Sequence, residues 1–300
     1  WIGERKAGDD ALITQQVKGI IEAVIAEGDT ALIEYTQAFD HVSLNSLKVS
    51  EEELKQAIAK VDREFIQYME EAKENIIFYH EAQKKQGFEL IKDDGVYLGQ
   101  RIIPLQRVGV YVPGGRAAYP SSVLMNVLPA RIAGVEEIIM VTPPNAEGGI
   151  DPYIAAAAEI AGVDQIYKVG GAQAVAALAY GTKSIPRVDK IIGPGNIYVA
   201  TAKKLVYGQV DIDMIAGPSE ILVIADEQAD PRYVAADLLS QAEHDPMASA
   251  ILLTTSTELA GAVTEQLKLQ TERLSKQEII KESLANYGAI MVLDTLTECI

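Results

Sequence analysis

The residues with the clearest potential for chemistry lie late in the chain, in the run QAEHDP at 241–246. The apolar spacing before this run predicts a helix over 234–243, and Gln241 and His244, three positions apart, then share one face at its end. Imidazole is a common zinc ligand, and an oxygen ligand beside it suits a site left open for substrate. A histidine at a helix end also interacts favourably with the terminal carbonyls when no metal is present. Spacing alone leaves both interpretations open.

Glycine-rich turns form the second candidate feature, because each follows a predicted strand. Glycine lets the backbone approach a ligand closely, and the free N–H groups of a following helix attract an anion. The turns therefore indicate a phosphate-bearing cofactor, although ordinary tight connections have the same composition. None matches the G-x-G-x-x-G or the Walker pattern, so a dinucleotide would be held without the usual fingerprint. The turns are VPGG at 112–115, VGGAQ at 169–173, IGPGN at 192–196 and AGPS at 216–219.

Nucleophilic catalysis has little support in the sequence. The single cysteine, Cys299, has no histidine near it along the chain, so it does not indicate a thiolate mechanism. A single cysteine also cannot form an internal disulfide, which is typical of proteins in reducing compartments. The first residues show no basic segment followed by an apolar one, so we expect no secretion signal and a cytoplasmic location.

Charge and hydropathy argue against two other classes of function. The formal net charge is −17, from 43 acidic and 26 basic residues, so we expect no basic surface that could neutralise nucleic-acid phosphates. The longest apolar stretches fall short of the roughly 20 residues that span a bilayer. We therefore expect neither a nucleic-acid partner nor a membrane partner.

The elements that must position these residues follow from the hydrophobic periodicity. Residues 9–90 are predicted to be helical, and a capping box at Ser50 starts one long helix that runs to about Lys84. Strands and helices alternate over 121–217, including a strand at 190–192, a helix at 197–206 and a strand at 211–215, and the alternation resumes over 221–292. Such alternation is typical of βαβ units. The sequence therefore predicts an α/β fold with two parallel sheets, whose ligand crevices lie at the carboxyl ends of the strands.

Six segments of the chain resemble, in order, the signature segments of the histidinol dehydrogenases. Several long motifs in one order are far more specific than a single glycine turn. The similarity runs from about residue 10 to the end of the chain. The segments are RVGVYVPGG at 107–115, PARIAG at 129–134, VGGAQAVA at 169–176, KIIGPGN at 190–196, AGPSE at 216–220 and LLSQAEHDP at 238–246.

The resemblance implies two incomplete Rossmann-like lobes, related to those of aldehyde dehydrogenases, together with an N-terminal helical segment. It groups 1–110, including the N-terminal helices, with 219–300 in a first lobe. It assigns NAD binding to a second lobe, 111–218. It also implies an intertwined homodimer, whose C-terminal dimerisation segments we expect to be absent from this chain.

The resemblance further implies a reaction, its cofactors and its site residues. Histidinol dehydrogenases are zinc-dependent and oxidise L-histidinol to L-histidine through L-histidinaldehyde, reducing two NAD molecules in succession. Hydride chemistry belongs to the cofactor, and the protein positions and polarises the reactants. By their motifs, the NAD contacts are Tyr111, Gln173 and Asn196. The substrate contacts are Ser219, Gln241 and His244, of which Gln241 and His244 are also the zinc ligands.

The family's proton-transfer residues have no counterpart in this sequence. The resemblance places a Glu–His pair, and an Asp and a His that complete the zinc site, beyond Ile300. Acid–base catalysis needs a group within hydrogen-bond reach of the proton, so we expect this stretch alone to be inactive. Two alternatives stay open. A non-catalytic dinucleotide-binding module would need no zinc, and a related aldehyde or alcohol dehydrogenase would reduce NAD with simple substrates.

Overall fold

The computed structural model describes residues 10–114, 119–215 and 220–300. They form an α/β protein with two parallel sheets, which confirms the predicted fold class. The chain divides into two compact units at Ile215, which we call the N-terminal unit and the C-terminal unit. Within the described residues, no helix is both long and apolar enough to cross a membrane.

Four helices open the N-terminal unit: α1 (Asp10–Glu27), α2 (Asp29–Asp40), α3 (Glu51–Ile58) and α4 (Arg63–Glu81). The prediction of one long helix from Ser50 to about Lys84 is wrong, because the carboxylate of Asp62 caps a new helix. The Ser50 hydroxyl does accept a hydrogen bond from the Glu53 N–H at 3.1 Å. The Glu53 carboxylate, however, pairs with Lys168 at 2.9 Å instead of returning to Ser50, so only half of the capping box forms.

An antiparallel hairpin follows α4, and its first strand begins within the stretch 9–90 that is predicted to be helical. It consists of β1 (Phe88–Ile91) and β2 (Tyr97–Gln100). Every residue of both strands is exposed, and Ile91 exposes 74% of its surface. Because neither face of the hairpin is buried, its sequence lacks the apolar and polar alternation by which a half-buried strand is recognised.

Five strands form the sheet of the N-terminal unit: β3 (Arg107–Tyr111), β4 (Glu137–Thr142), β5 (Gln165–Lys168), β6 (Lys190–Ile192) and β7 (Asp211–Ile212). The helices between them are α5 (Pro120–Ile132), α6 (Pro152–Ala161), α7 (Gly171–Tyr180) and α8 (Ile197–Val206). All five strands are parallel and lie in the order β5-β4-β3-β6-β7. The predicted alternation is confirmed here, except that the last strand ends at Ile212 instead of Ile215.

Different helices cover the two faces of this sheet, because successive residues of a strand point to opposite sides. Ile139 packs in a core with α1, α2, α7 and α8, whereas Ile138 packs in a core with α3, α4, α5 and α6. The N-terminal helices therefore complete the cores of the five-stranded sheet. Without α1 to α4, both apolar faces of the sheet would be partly uncovered. The grouping of 1–110 with 219–300 stays a prediction.

The C-terminal unit contains three parallel strands in the order β10-β9-β8: β8 (Glu220–Ala225), β9 (Ser249–Thr254) and β10 (Gly288–Val292). Its helices are α9 (Pro231–Ala242), α10 (Thr257–Thr271), α11 (Gln277–Tyr287) and α12 (Leu296–Cys299). Asp230 caps α9 by accepting from the N–H of Arg232, and proline is favoured at the first helical position. These two signals fix the start of the helix that carries Gln241.

Candidate functional site

The carboxyl edge of the five-stranded sheet is the place where the N-terminal unit can receive a ligand. The chain leaves β3 toward α5 on one face of the sheet and leaves β6 toward α8 on the other. The neighbouring strands β3 and β6 therefore frame a topological switch point, where open α/β sheets bind their ligands. Three of the four predicted glycine turns start at this edge, although Gly115 lies outside the described residues.

Tyr111 ends β3 and turns its side chain inward. Its exposed fraction is only 3%, and its hydroxyl accepts a hydrogen bond from the N–H of Gly171 at 3.1 Å. Burial, reinforced by the negative charge of Asp40, raises the pKa of Tyr111 to about 12. Tyr111 thus supports the first turn of α7 as a neutral hydroxyl from inside the protein.

Gln173 lies in the first turn of α7 and carries an unusual buried group. The residue is 1% exposed, yet its amide oxygen has no hydrogen-bond partner among the described residues. That oxygen lies against Gly171, because a Cβ added to Gly171 would be only 2.5 Å from it. A buried acceptor without a donor costs about 1–3 kcal/mol, so such a group calls for a ligand or a water that donates to it.

Two more buried side-chain oxygens of the N-terminal unit have no hydrogen-bond partner among the described residues. The Thr142 hydroxyl ends β4 at the carboxyl edge and would lie 3.4 Å from a Cβ on Gly114. One carboxylate oxygen of Asp40, at the end of α2, is also buried and unpaired, and burial raises the pKa of Asp40. In the part of the chain that the structure describes, all buried side-chain oxygens without a hydrogen-bond partner lie on elements of the N-terminal unit. Of these residues, Asp40 also interacts electrostatically with Tyr111.

Asn196 occupies the other side of the switch point, at the start of α8. Its side-chain oxygen accepts hydrogen bonds from the N–H groups of Tyr198 and Val199, both at 3.1 Å. The side chain is exposed, so Asn196 combines a capping role with access to solvent. The preceding Gly193 has φ +111°, and a Cβ there would meet the carbonyl oxygen of Tyr111 at 2.1 Å. Glycine thus brings the ends of β3 and β6 together.

Gln241 and His244 lie close together in the C-terminal unit. Gln241 is in the last turn of α9, and the His244 N–H donates to its carbonyl oxygen at 3.1 Å. Gln241 is half-buried and His244 is exposed, so solvent reaches this helix end. Ser219, the other predicted substrate contact, lies outside the described residues.

The donor set at this helix end is small. Across 10–114, 119–215 and 220–300, no cluster of three or more His, Cys, Asp or Glu side chains is placed to hold a metal ion. An imidazole and an amide on one accessible helix end fit two positions of a four-coordinate site. They do not fit a closed structural zinc site, which needs four protein ligands.

Two residues at the sheet edge escaped the sequence interpretation. Asp40 has the sequence surroundings of an ordinary turn residue, and no local pattern shows that its carboxylate is buried near Tyr111. Thr142 left a weak signal, because a polar residue ends an apolar run directly before Pro143. Such a residue usually marks the end of a strand, and only the fold shows that it lies beside Gly114.

Comparisons with known proteins agree with this architecture. A family model described as histidinol dehydrogenase matches residues 3–300. A histidinol dehydrogenase of Clostridium acetobutylicum is 57% identical over 297 residues, which cover 99% of this chain and 69% of the relative. One from Bacillus thuringiensis subsp. konkukian is 56% identical over 288 residues, covering 96% of this chain and 67% of that protein. The crystal structure of a histidinol dehydrogenase from Elizabethkingia anophelis, 41% identical, superimposes with a TM-score of 0.88 over 98% of this chain and 67% of the other. This chain belongs to the histidinol dehydrogenase family.

Proposed function

We propose that this chain carries the NAD site and part of the zinc and substrate site of an enzyme that oxidises L-histidinol to L-histidine through L-histidinaldehyde. In this reaction two NAD molecules are reduced in succession. The observation that carries the proposal is the buried amide oxygen of Gln173, which has no donor among the described residues. It lies at the start of a helix at the carboxyl edge of a parallel sheet, in a chain of this family.

The NAD residues have different roles in this proposal. The oxygen of Gln173 accepts a hydrogen bond from the dinucleotide, which removes the cost of burying it unpaired. Asn196 lies at the accessible start of α8, where helix N–H groups favour a phosphate. Tyr111 acts indirectly, because its hydroxyl accepts a hydrogen bond from Gly171 and so holds the first turn of α7 in place.

Gln241 and His244 are the residues that would hold zinc. The amide oxygen and the imidazole offer two ligands on an accessible helix end, and the remaining positions would be filled from outside the described residues. When bound, the ion supplies a fixed positive charge that orients the polar groups of the substrate. The same two side chains and Ser219 would contact L-histidinol.

A homodimer and a cytoplasmic location also belong to the proposal. The exposed hairpin β1–β2 supports the dimer, because Phe88, Leu90, Ile91, Tyr97 and Leu98 each expose at least half of their surface. A contiguous group of exposed apolar side chains commonly marks a protein interface. The single cysteine, Cys299, is free and buried, which agrees with a reducing compartment.

The reaction is tested by mixing the complete protein with L-histidinol and NAD and following NADH by absorbance. We expect NADH formation that a chelator abolishes and that added zinc restores. Ethanol and acetaldehyde serve as simple substrates for comparison. NADH formation from these two compounds but not from histidinol would instead support a related alcohol or aldehyde dehydrogenase. NAD binding without any turnover would support a non-catalytic module.

The NAD site is tested by Gln173→Met in the complete protein. Removing an unpaired buried oxygen is expected to leave the free energy of unfolding unchanged or to raise it by about 1 kcal/mol. Loss of one hydrogen bond to the ligand should weaken NAD binding about tenfold. Denaturant unfolding and titration calorimetry with NAD measure the two effects.

A matched control is Gln165→Met, because Gln165 starts β5 at the opposite edge of the same sheet. Its amide nitrogen donates to Glu137 at 2.6 Å, and its oxygen accepts from Lys48 and Tyr167, both at 2.8 Å. Here the same substitution should lower stability and leave NAD affinity unchanged. An unchanged NAD affinity in Gln173→Met would contradict the assignment of this site.

A further inference from the structure

An ion pair with a buried ammonium group holds the loop that joins β6 to α8. The ammonium group of Lys203 pairs with the carboxylate of Asp213 and also donates to the carbonyl oxygen of Gly193 at 3.0 Å. The other carboxylate oxygen of Asp213 accepts from the Gly193 N–H at 2.8 Å. Both backbone polar groups of Gly193 are therefore bonded to side chains rather than to a neighbouring strand.

The fold explains how Lys203 reaches this loop. Asn196 caps α8, and Lys203 lies seven residues later, two turns along the same helix face. Helical side chains lean toward the N-terminus of their helix, so a long side chain from this position extends toward the loop. Asp213 follows β7, the strand next to β6, and the Asp213 N–H bonds to the carbonyl oxygen of Ile191 at 3.2 Å. The helix and the edge strand thus hold the loop from two sides.

A contribution to the stability of the fold does not explain why this ion pair is present. The Lys203 side chain is 4% exposed and that of Asp213 is 27% exposed, so the ammonium group loses most of its hydration and the carboxylate loses part of it. Removing buried charges from water costs several kcal/mol per ion, and apolar replacements of such pairs are often as stable. What an apolar pair would lack is the set of directional bonds to Gly193. The geometry therefore indicates control of the loop's position.

We propose that Lys203 and Asp213 are positioning residues that fix the loop 193–196 in the form that receives the dinucleotide. The proposal rests on the NAD site proposed above, because Asn196 ends this loop. The pair acts through backbone contacts to Gly193 and does not touch the ligand itself. Its loss releases Gly193 and misplaces the start of α8.

The test compares two variants of the complete protein, Lys203→Met and the double variant Lys203→Met with Asp213→Leu. A misplacement of about 1 Å can cost up to a hundredfold, so we expect NAD to bind roughly tenfold to a hundredfold more weakly in both variants. The KM for NAD should rise while the KM for histidinol stays unchanged. Hydrogen exchange of the amides of Gly193, Gly195 and Asn196 should become faster in the absence of NAD, which reports the loop independently of activity.

The matched control is Lys190→Met. Lys190, in β6, pairs with Asp211, in β7, at 2.7 Å. The Lys190 side chain is 31% exposed, and this pair does not contact Gly193. This variant should keep wild-type NAD affinity and wild-type exchange at 193–196.

The outcomes separate this inference from the proposed NAD site. If Gln173→Met weakens NAD binding while both Lys203 variants behave as Lys190→Met does, the positioning role is wrong and the site stands. If the wild-type protein does not bind NAD, the proposed function fails. If only the single variant unfolds, the double variant decides the question. If the double variant also unfolds, the pair is required for folding and the positioning role is rejected.

Discussion

His244→Ala in the complete protein is expected to lose its zinc and to lower kcat for histidinol oxidation by on the order of a hundredfold or more. The substitution removes an imidazole from the proposed zinc site, to which the described residues would supply only two donors. No nearby side chain is expected to replace the lost ligand, since the described residues hold no cluster of three or more His, Cys, Asp or Glu side chains placed to bind a metal. Elemental analysis gives the zinc content per subunit, and NADH formation gives the rate.

The chain offers a matched control for this substitution in His80→Ala. His80 lies in the last turn of α4, whereas His244 lies two residues beyond the end of α9. The Nδ1 of His80 lies 2.7 Å from the amide oxygen of Gln83, three residues away. The His80 variant removes the same chemical group from a position near a helix end in the N-terminal unit. It should keep both the zinc content and the rate.

Two results would argue against the zinc assignment. If His244→Ala keeps one zinc per subunit, the helix end is a polar cap of the kind that histidines form with terminal carbonyls. If both histidine variants lose activity without losing zinc, the effect lies in the stability of the helix ends. Thermal unfolding of both variants distinguishes this second case.

The alternation of strands and helices was predictable because each βαβ unit is a local pattern with its own caps. The limits of β6 and α8 agree with the prediction residue by residue, since Gly193 and Asn196 mark the connection between them. The break between α3 and α4 was missed, because the apolar spacing continues across it and only the Asp62 cap shows it. The sheet face on which α1 and α2 pack was not predictable. Their apolar faces fit any exposed sheet face, and the sequence does not say which.

The candidate site was predictable only where its residues are marked by local chemistry. Asn196 and the glycines stand in recognisable turns, so their types and their spacing indicate a connection near a ligand. The inward direction of Tyr111 and the pairing of Lys203 with Asp213 depend on how β3, β6 and α8 lie against one another. Lys203 occurs in a run of apolar and polar residues that is equally compatible with a solvated helix face. Its burial is a property of the tertiary structure.

Among glycine-to-alanine substitutions at the carboxyl edge of the five-stranded sheet, Gly193→Ala is expected to cause the largest loss of stability. The residue has φ +111°, a conformation that side chains with a Cβ rarely adopt and that costs about 1–3 kcal/mol. The new Cβ would also lie 2.1 Å from the carbonyl oxygen of Tyr111, a backbone atom that cannot rotate away. Together these effects should lower the free energy of unfolding by about 3 kcal/mol or more. Denaturant unfolding of the complete protein, followed by circular dichroism, measures the change.

Gly208→Ala separates the two causes, because Gly208 has a similar φ of +99° but no atom within 4 Å of the position of a Cβ. This variant carries the conformational cost alone and should lose about 1–2 kcal/mol. It should also leave NAD affinity unchanged, whereas Gly193→Ala should weaken it by forcing apart the ends of β3 and β6. Equal losses in the two variants would mean that the strands separate easily at this point. The close contact of Tyr111 with Gly193 would then contribute nothing to the shape of the switch point.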